Sequence, residues 1–166
     1  MMMANIVISV VLHVLFFVVP NAIVGYVVQR KGGWALGSSL RIRPAPWLFG
    51  LVWNVLFVAL GICWSMGFAA PYSPGIYFAL NLLFLAWIIL FSQRHHLRAA
   101  LAVLNLTLVV SVTLSVLAFL RVPLATSSNF ERYGFPTATF FALSTWLFYA
   151  RDINAQLFLL PVRASK

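Results

Sequence analysis

Residues 47–70 read WLFGLVWNVLFVALGICWSMGFAA, a stretch that contains no charged side chain. A helix of about 20 apolar residues, rising about 1.5 Å per residue, is long enough to cross the hydrocarbon core of a bilayer. Backbone groups in hydrocarbon must be paired within the chain, which favours helices. Four further stretches are similarly apolar, at residues 6–28, 76–92, 99–120 and 135–150. The sequence therefore predicts an all-α fold, an integral membrane bundle of five transmembrane helices that forms a single domain over residues 1–166.

The composition of the whole chain supports this interpretation. Hydrophobic residues make up 63% of the sequence, charged residues make up 8%, and the mean hydropathy is +1.01. Soluble domains are about half apolar and about a quarter charged. The composition therefore excludes an ordinary soluble domain and predicts that membrane lipids surround the protein.

The basic residues set the predicted orientation. The net charge is +9, but the bases stand singly or in pairs between apolar runs, so nucleic-acid binding is not predicted. With five crossings, one side holds nine bases, and the other side holds Arg121 and Arg132. Loops rich in Lys and Arg stay on the inner side of a membrane. We therefore predict a multi-pass protein with its C-terminus inside, on the cytoplasmic or matrix face. The nine bases are Arg30, Lys31, Arg41, Arg43, Arg94, Arg98, Arg151, Arg163 and Lys166.

Groups that could carry out catalysis are scarce in the predicted helices. None of the five stretches contains Asp, Glu, Lys or Arg, and the titratable groups within them that merit attention are His13 and the single cysteine, Cys63. Paired carboxylates and a Ser-His-Asp set are both missing from the pattern. His95 and His96 have no Cys or carboxylate nearby in the sequence that would complete a metal site. We predict no catalytic residues, no metal site and no enzymatic activity.

The second predicted helix has an aromatic face. Trp53, Phe57, Leu60 and Trp64 recur at helical spacing, next to a strip of smaller residues at Gly50, Asn54, Gly61 and Ser65. Such a face is typical of a packed helix core, and it is also a surface on which a flat apolar ligand would stack. The pattern alone leaves both interpretations open.

The fourth predicted helix carries a stripe of small polar residues, Thr107, Ser111 and Ser115, four residues apart. Small residues at this spacing allow helices to approach closely and to form hydrogen bonds between them. A packing surface is the preferred interpretation, and a polar pathway is the alternative.

The segment Pro44–Phe57, PAPWLFGLVWNVLF, resembles the signature of the translocator protein family, the tryptophan-rich sensory proteins. In that signature, prolines are followed by Trp, Gly, Val-Trp and an aromatic residue at the start of the second helix. Tyr77, Trp87 and Phe91, followed by a basic turn, resemble the third helix of the family. Phe135-Pro136 resembles the start of its fifth helix. The resemblance implies five helices, an outer N-terminus and a mitochondrial or bacterial membrane.

The resemblance also implies a ligand and the residues that would bind it. Members of the family bind tetrapyrroles and sterols in a cavity under the first loop. The matching positions predict a ligand site formed by Trp47, Trp53, Phe57, Trp87, Phe91 and Phe135. A sterol-recognition pattern is also present, at Leu147, Tyr149 and Arg151.

Two hypotheses for function follow. In the first, the protein binds a flat apolar ligand, a tetrapyrrole or a sterol, within its helix bundle. In the second, it is a non-catalytic accessory subunit of a larger mitochondrial or bacterial membrane complex. The second hypothesis arises because Leu80, Phe84 and Phe148 stand where the family has amide side chains, so that the interior would fill itself. Either a homodimer or a larger complex is compatible with the sequence.

Overall fold

The computed structural model describes residues 2–30, 44–68, 72–92, 96–121 and 127–159, and all its regular secondary structure in these ranges is helical. The helices are α1 (Met2–Arg30), α2 (Pro46–Ser65), α3 (Ser73–Phe91), α4 (Leu97–Arg121) and α5 (Ser127–Leu159). The predicted all-α class is therefore confirmed, and each predicted stretch corresponds to one helix. The connections between the helices, at residues 31–43, 69–71, 93–95 and 122–126, lie outside the described residues.

Helix α2 ends at Ser65, earlier than the predicted Ala70, because the chain turns at Gly67. Gly67 has φ of +70°, a conformation that glycine adopts without steric cost. Its N–H donates to the Trp64 carbonyl oxygen at 2.9 Å, and the N–H of Phe68 donates to the Cys63 carbonyl oxygen at 3.3 Å. These two bonds form a Schellman motif, which satisfies carbonyl groups that the end of a helix leaves unpaired.

Helix α5 is longer than the predicted residues 135–150 at both ends. The prediction placed its start at Phe135-Pro136, because the apolar stretch begins there and the pair resembles the start of the fifth helix of the translocator family. Pro136 instead lies inside the helix and is buried. At the other end, the sequence has no proline or glycine between Ala150 and Leu159, and the helix continues through this segment.

Four of the described helices are long and apolar enough to cross a membrane. The spans are Asn5–Arg30, Trp47–Ser65, Pro74–Phe91 and Leu97–Leu120. These spans and the composition indicate a multi-pass membrane protein. Helix α5 is less apolar than the others, and its central part carries hydroxyl groups at Thr137, Thr139, Ser144 and Thr145.

The helices form a ring in the order α1, α2, α5, α4, α3, with α3 returning to α1 and also touching α2. Neighbours in sequence run antiparallel: the start of α2 faces the end of α3 through Trp53 and Trp87, and Asn105 of α4 faces Arg151 of α5. Arg30, at the end of α1, Arg98, at the start of α4, and Arg151, near the end of α5, therefore lie at the same end of the bundle. We call this the basic end.

Helix α4 packs against α5 through the polar stripe identified in the sequence. Thr107 and Ser111 are buried, and Ser115 is half-buried. The Ser111 hydroxyl lies 2.9 Å from the Ser144 hydroxyl and donates to the Phe140 carbonyl oxygen at 3.3 Å. The stripe thus acts as a packing surface with hydrogen bonds between helices, as its spacing predicts.

Helices α1 and α2 come into backbone contact at Gly61. A Cβ atom built on Gly61 would lie 2.6 Å from the Cα atom and 2.7 Å from the nitrogen of Val14. Both atoms belong to the α1 backbone and cannot move away as the end of a flexible side chain would. Only glycine therefore allows this approach, which we call the Gly61 contact.

Replacing Gly61 by alanine is expected to force α1 and α2 apart and to lower the free energy of unfolding by about 1–3 kcal/mol, the usual cost of overpacking. Thermal unfolding in detergent measures the effect. The matched control is Gly75→Ala, since a Cβ there meets no atom within 4 Å. An unfolding temperature of Gly61→Ala equal to that of Gly75→Ala would show that the contact is not tight.

Candidate ligand-binding cleft

A cavity of about 570 Å³ lies between α1 and α2, with α3 behind it. Its volume is within the range of about 300–1,000 Å³ that is typical of small-molecule sites. We call it the cleft. Its buried floor is formed by Asn21, Phe49, Trp53, Phe57, Trp87 and Ile88, and its exposed rim by Ala22, Tyr26, Gln29, Trp47 and Asn54.

The cleft exists because α1 and α2 diverge from the Gly61 contact towards the basic end. Gly25 on α1 and Gly50 on α2 both line the cleft, and each lies about 16 Å along its helix from the contact. A Cβ atom added to either glycine would meet no other atom within 4 Å. The two helices that touch at Gly61 are thus separated by open space at Gly25 and Gly50.

The floor of the cleft is built from packed aromatic rings around Trp53. The centroid of its indole ring lies 5.3 Å from that of Trp87, 5.5 Å from that of Phe57 and 5.5 Å from that of Phe84. These distances are in the range in which aromatic pairs attract one another. Trp53 is 7% exposed, so the ring cluster holds it in place and presents its accessible part to the cleft.

The floor also has hydrogen-bonding capacity that the described residues do not use. The indole nitrogens of Trp53 and Trp87 and the amide oxygen of Asn21 are buried and have no partner among the described residues. Buried polar groups are normally paired, and leaving one unpaired costs about 1–3 kcal/mol. Each of these atoms has almost no exposed surface, so a ligand in the cleft would pair with them only after the neighbouring side chains shift.

Asn21 connects the cleft to α3. Its amide nitrogen donates to the Asn81 side-chain oxygen at 2.7 Å and to the Phe17 carbonyl oxygen at 2.8 Å. The Asn81 amide nitrogen in turn donates to the Phe16 carbonyl oxygen at 2.9 Å. The sequence analysis missed this pair, although an amide within an apolar run marks a position that needs a partner inside the protein.

The structure brings four of the six predicted ligand-site residues to the cleft. Trp53, Phe57 and Trp87 lie in the floor, and Trp47 lies on the rim with 70% of its surface exposed. Phe91 lines a separate cavity of about 10 Å³ behind Trp87, which is large enough for roughly one water molecule.

Phe135 does not line the cleft. It is 40% exposed and lies about 16 Å along α5 from Trp146, whose ring lies 5.4 Å from that of Phe49 in the cleft floor. Phe135 is therefore near the opposite end of the bundle, and the structure does not bring it to the other residues of the predicted ligand site.

The three residues expected to fill the interior behave differently from one another. Leu80 and Phe84 are buried, as the accessory-subunit hypothesis requires. Phe148 is 55% exposed on the outer surface of α5, so its predicted place in the interior was wrong. The described α5 instead has a fully buried amide at Asn154, whose nitrogen and oxygen atoms have no partner among the described residues.

The residues of the sterol-recognition pattern do not form one surface. Leu147 is fully buried in the bundle, and Tyr149 is half-buried with its ring 5.4 Å from that of Trp146. The Arg151 Nε–H donates to the Asn105 side-chain oxygen at 2.8 Å, and its guanidinium lies 3.6 Å from the Asp152 carboxylate. A sterol in the surrounding lipid could not reach Leu147, so the geometry argues against this site.

Within the described ranges, no three His, Cys, Asp or Glu side chains come together as a metal site would require. His13 is half-buried, with its Nδ1 atom 3.3 Å from the Ser9 hydroxyl and its ring 4.3 Å from that of Trp64. These contacts give His13 a packing role in the contact between α1 and α2.

Comparisons with protein-family models, with curated proteins and with solved structures find no match to this chain. The resemblance to translocator proteins therefore rests on the residues quoted from the sequence.

The hydrogen bonds of Asn81 to α1 are expected to stabilise the wall of the cleft. Replacing Asn81 by leucine removes both bonds and leaves the Asn21 amide with fewer partners, so the free energy of unfolding should fall by about 1–2 kcal/mol. Thermal unfolding in detergent is the measurement. The control is Asn54→Leu, because Asn54 is exposed and bonds only within α2, to the Gly50 carbonyl oxygen. Equal stability of the two variants would contradict the bridging role of Asn81.

Proposed function

We propose that this protein binds a flat, largely apolar ligand of the tetrapyrrole or sterol class in the cleft, as a divergent protein of the translocator type. The observation that carries the proposal is a cavity of about 570 Å³ whose floor is made of aromatic rings packed in tilted and edge-to-face pairs. The rigid, nearly buried rings of the floor and the exposed rings of Tyr26 and Trp47 on the rim together offer an apolar contact surface to a planar molecule. The exposed amide side chains of Gln29 and Asn54 on the rim supply the few polar contacts that orient a ligand in an apolar pocket.

The position of the cleft supports the same proposal. It lies at the basic end, where α1 ends at Arg30 and α2 begins at Pro46. The resemblance implies a ligand cavity under the connection between these two helices. The agreement is independent of the aromatic residues that suggested the family, because it depends on where α1 and α2 separate.

The alternative, an accessory subunit without a ligand site, is less well supported. That hypothesis expects bulky side chains to fill the interior where the family has amides. Phe84 does pack against Trp53 and Phe57, yet the space between α1 and α2 stays open. A ligand can occupy an opening of this size, so its presence favours a binding role.

We further propose that α5 is a fifth crossing and that the basic end faces the inside of the membrane. The charged residues of α5 fall near its ends, at Glu131 and Arg132 and at Arg151 and Asp152. Between them, Leu143 and Leu147 face the bundle, while Phe141 and Phe148 are exposed as lipid-facing side chains would be. The antiparallel packing of α4 and α5 supports a crossing that returns to the side where α4 begins.

Accessibility of single introduced cysteines tests this topology. Cysteines at Gln29, Ala99 and Gln156, all exposed and near the basic end, should react with a membrane-impermeant thiol reagent from one side. A cysteine at the exposed Tyr72 should react from the opposite side. The native Cys63 is fully buried and should contribute little background. Labelling of Gln156→Cys from the same side as Tyr72→Cys would refute the fifth crossing.

Filling the cleft should abolish ligand binding without unfolding the protein. Leucine in place of Gly50 projects into open space in the cleft, so it should weaken binding of protoporphyrin IX at least about tenfold while the unfolding temperature stays close to that of the wild type. Titration in detergent, followed by quenching of tryptophan fluorescence, measures the affinity.

The matched control for Gly50→Leu is Gly75→Leu, which also projects into open space but lies outside the cleft, at the start of α3. It should bind the porphyrin as the wild type does. A second variant, Gly25→Leu, blocks the cleft from the α1 side and should match Gly50→Leu. Saturable binding that survives both cleft variants would place the ligand elsewhere and refute the proposal.

A further inference from the structure

A cationic side chain stands at the mouth of the cleft. Tyr26 forms part of the rim on α1, and the Arg30 guanidinium carbon lies over its ring, 5.1 Å from the centroid. Gln29, between them in sequence, also lines the cleft. The contact of Arg30 with an aromatic ring holds the guanidinium next to the opening.

The chain offers Arg30 almost no carboxylate of its own. It has two acidic side chains, Glu131 and Asp152, against eleven Lys and Arg residues. Asp152 is in an ion pair with Arg151, at 3.6 Å. Glu131 belongs to the first turns of α5, at the end of the bundle opposite to Arg30. Among the described side chains, Arg30 therefore has no unpaired carboxylate at its own end of the bundle, and its guanidinium is available to the acid group of a bound molecule.

We propose that the ligand of the cleft carries a carboxylate and that Arg30 binds this group at the mouth while the rings of the floor stack on the ligand's apolar plane. The inference rests on the proposed binding function and narrows it to planar amphiphiles with an acid group, such as porphyrin carboxylic acids. Neutral sterols lack the group that Arg30 would bind.

The chemical difference between the floor and the mouth of the cleft supports a ligand that has an apolar plane and a carboxylate. The floor at Trp53, Phe57 and Trp87 is buried and apolar, whereas the mouth at Tyr26 and Trp47 is exposed. A guanidinium can bind a carboxylate through two parallel N–H···O bonds, which are stronger than bonds between neutral groups. The position of Arg30 at the last residue of the apolar span Asn5–Arg30 places this pair where the hydrocarbon ends.

The anion could also be the headgroup of an acidic lipid, and the experiment separates the two sources. The protein is placed in nanodiscs of the zwitterionic lipid phosphatidylcholine and titrated with protoporphyrin IX and, separately, with its neutral dimethyl ester. Binding is followed by porphyrin fluorescence. The variants are Arg30→Gln and, as a control with the same change in charge at the same end, Arg98→Gln on α4.

Arg30→Gln is expected to weaken binding of the diacid about tenfold or more, since a hydrogen-bonded charge pair is lost, and to leave binding of the ester unchanged. Unchanged binding of the ester also shows that the variant is folded. Arg98→Gln should bind both compounds as the wild type does. Raising the salt concentration should weaken binding of the diacid in the wild type more than in Arg30→Gln.

Three outcomes would overturn the inference. Equal affinity of the wild type for the diacid and the ester would show that Arg30 does not recognise the acid group of the ligand. Arg30 would then pair with lipid headgroups instead. An equal loss of diacid affinity in Arg98→Gln would indicate a general effect of positive charge. If neither compound binds saturably to the wild type, the proposed function itself fails, whereas the first two outcomes leave it standing.

Discussion

The backbone contact between Gly61 and Val14 is the constraint on which the candidate site depends. A helix pair that touches at one point and is not held together along its whole length must diverge, and α1 and α2 diverge towards the basic end. The contact is reinforced by the ring of His13 against that of Trp64 and by the ring of Phe17 against that of Phe57. Close packing at one end of the bundle is therefore the cause of open space at the other end.

Hydrogen bonding among the interior side chains also differs between places where the helices touch and places where they are apart. Where helices touch, their polar side chains find partners on a neighbouring helix, as Ser111 does with Ser144 and Asn81 does with α1. Where α1 and α2 are apart, Asn21 and Trp53 retain polar atoms without a partner among the described residues. In hydrocarbon, water does not compensate for such groups as it does at the surface of a soluble protein. Such atoms are not confined to the cleft, since the side-chain atoms of Asn154 on α5 also have no partner among the described residues.

The sequence predicted the helices well and the site only in part. Each predicted apolar stretch corresponds to one helix, and four of the described helices are long and apolar enough to cross a membrane, a property that depends on composition and that a window of residues reports directly. The ends of α5 were misplaced, because Pro136 is tolerated inside the helix and the segment after Ala150 contains no helix breaker. The aromatic spacing on α2 correctly predicted that Trp53 and Phe57 would share a face.

The direction in which a side chain points was harder to predict. Phe135 was assigned to the ligand site although it lies near the opposite end of the bundle from the cleft. Phe148 was assigned to the interior by matching positions along the chain, yet neighbouring residues of a helix differ in direction by about 100°. A small error in alignment therefore moves a side chain from the core to the lipid. The amide pair Asn21 and Asn81 was missed because its partners lie on helices far apart in sequence.

The exposed rim has a consequence for how affinity is measured. Ala22 and Asn54 border the opening within the apolar spans of α1 and α2, so the cleft faces the acyl chains sideways as well as the interface. A planar amphiphile that first dissolves in the bilayer meets this opening by lateral diffusion. Occupancy then depends on the mole fraction of the compound in the lipid phase, and dissociation constants obtained at different lipid-to-protein ratios agree only when they are expressed in that unit.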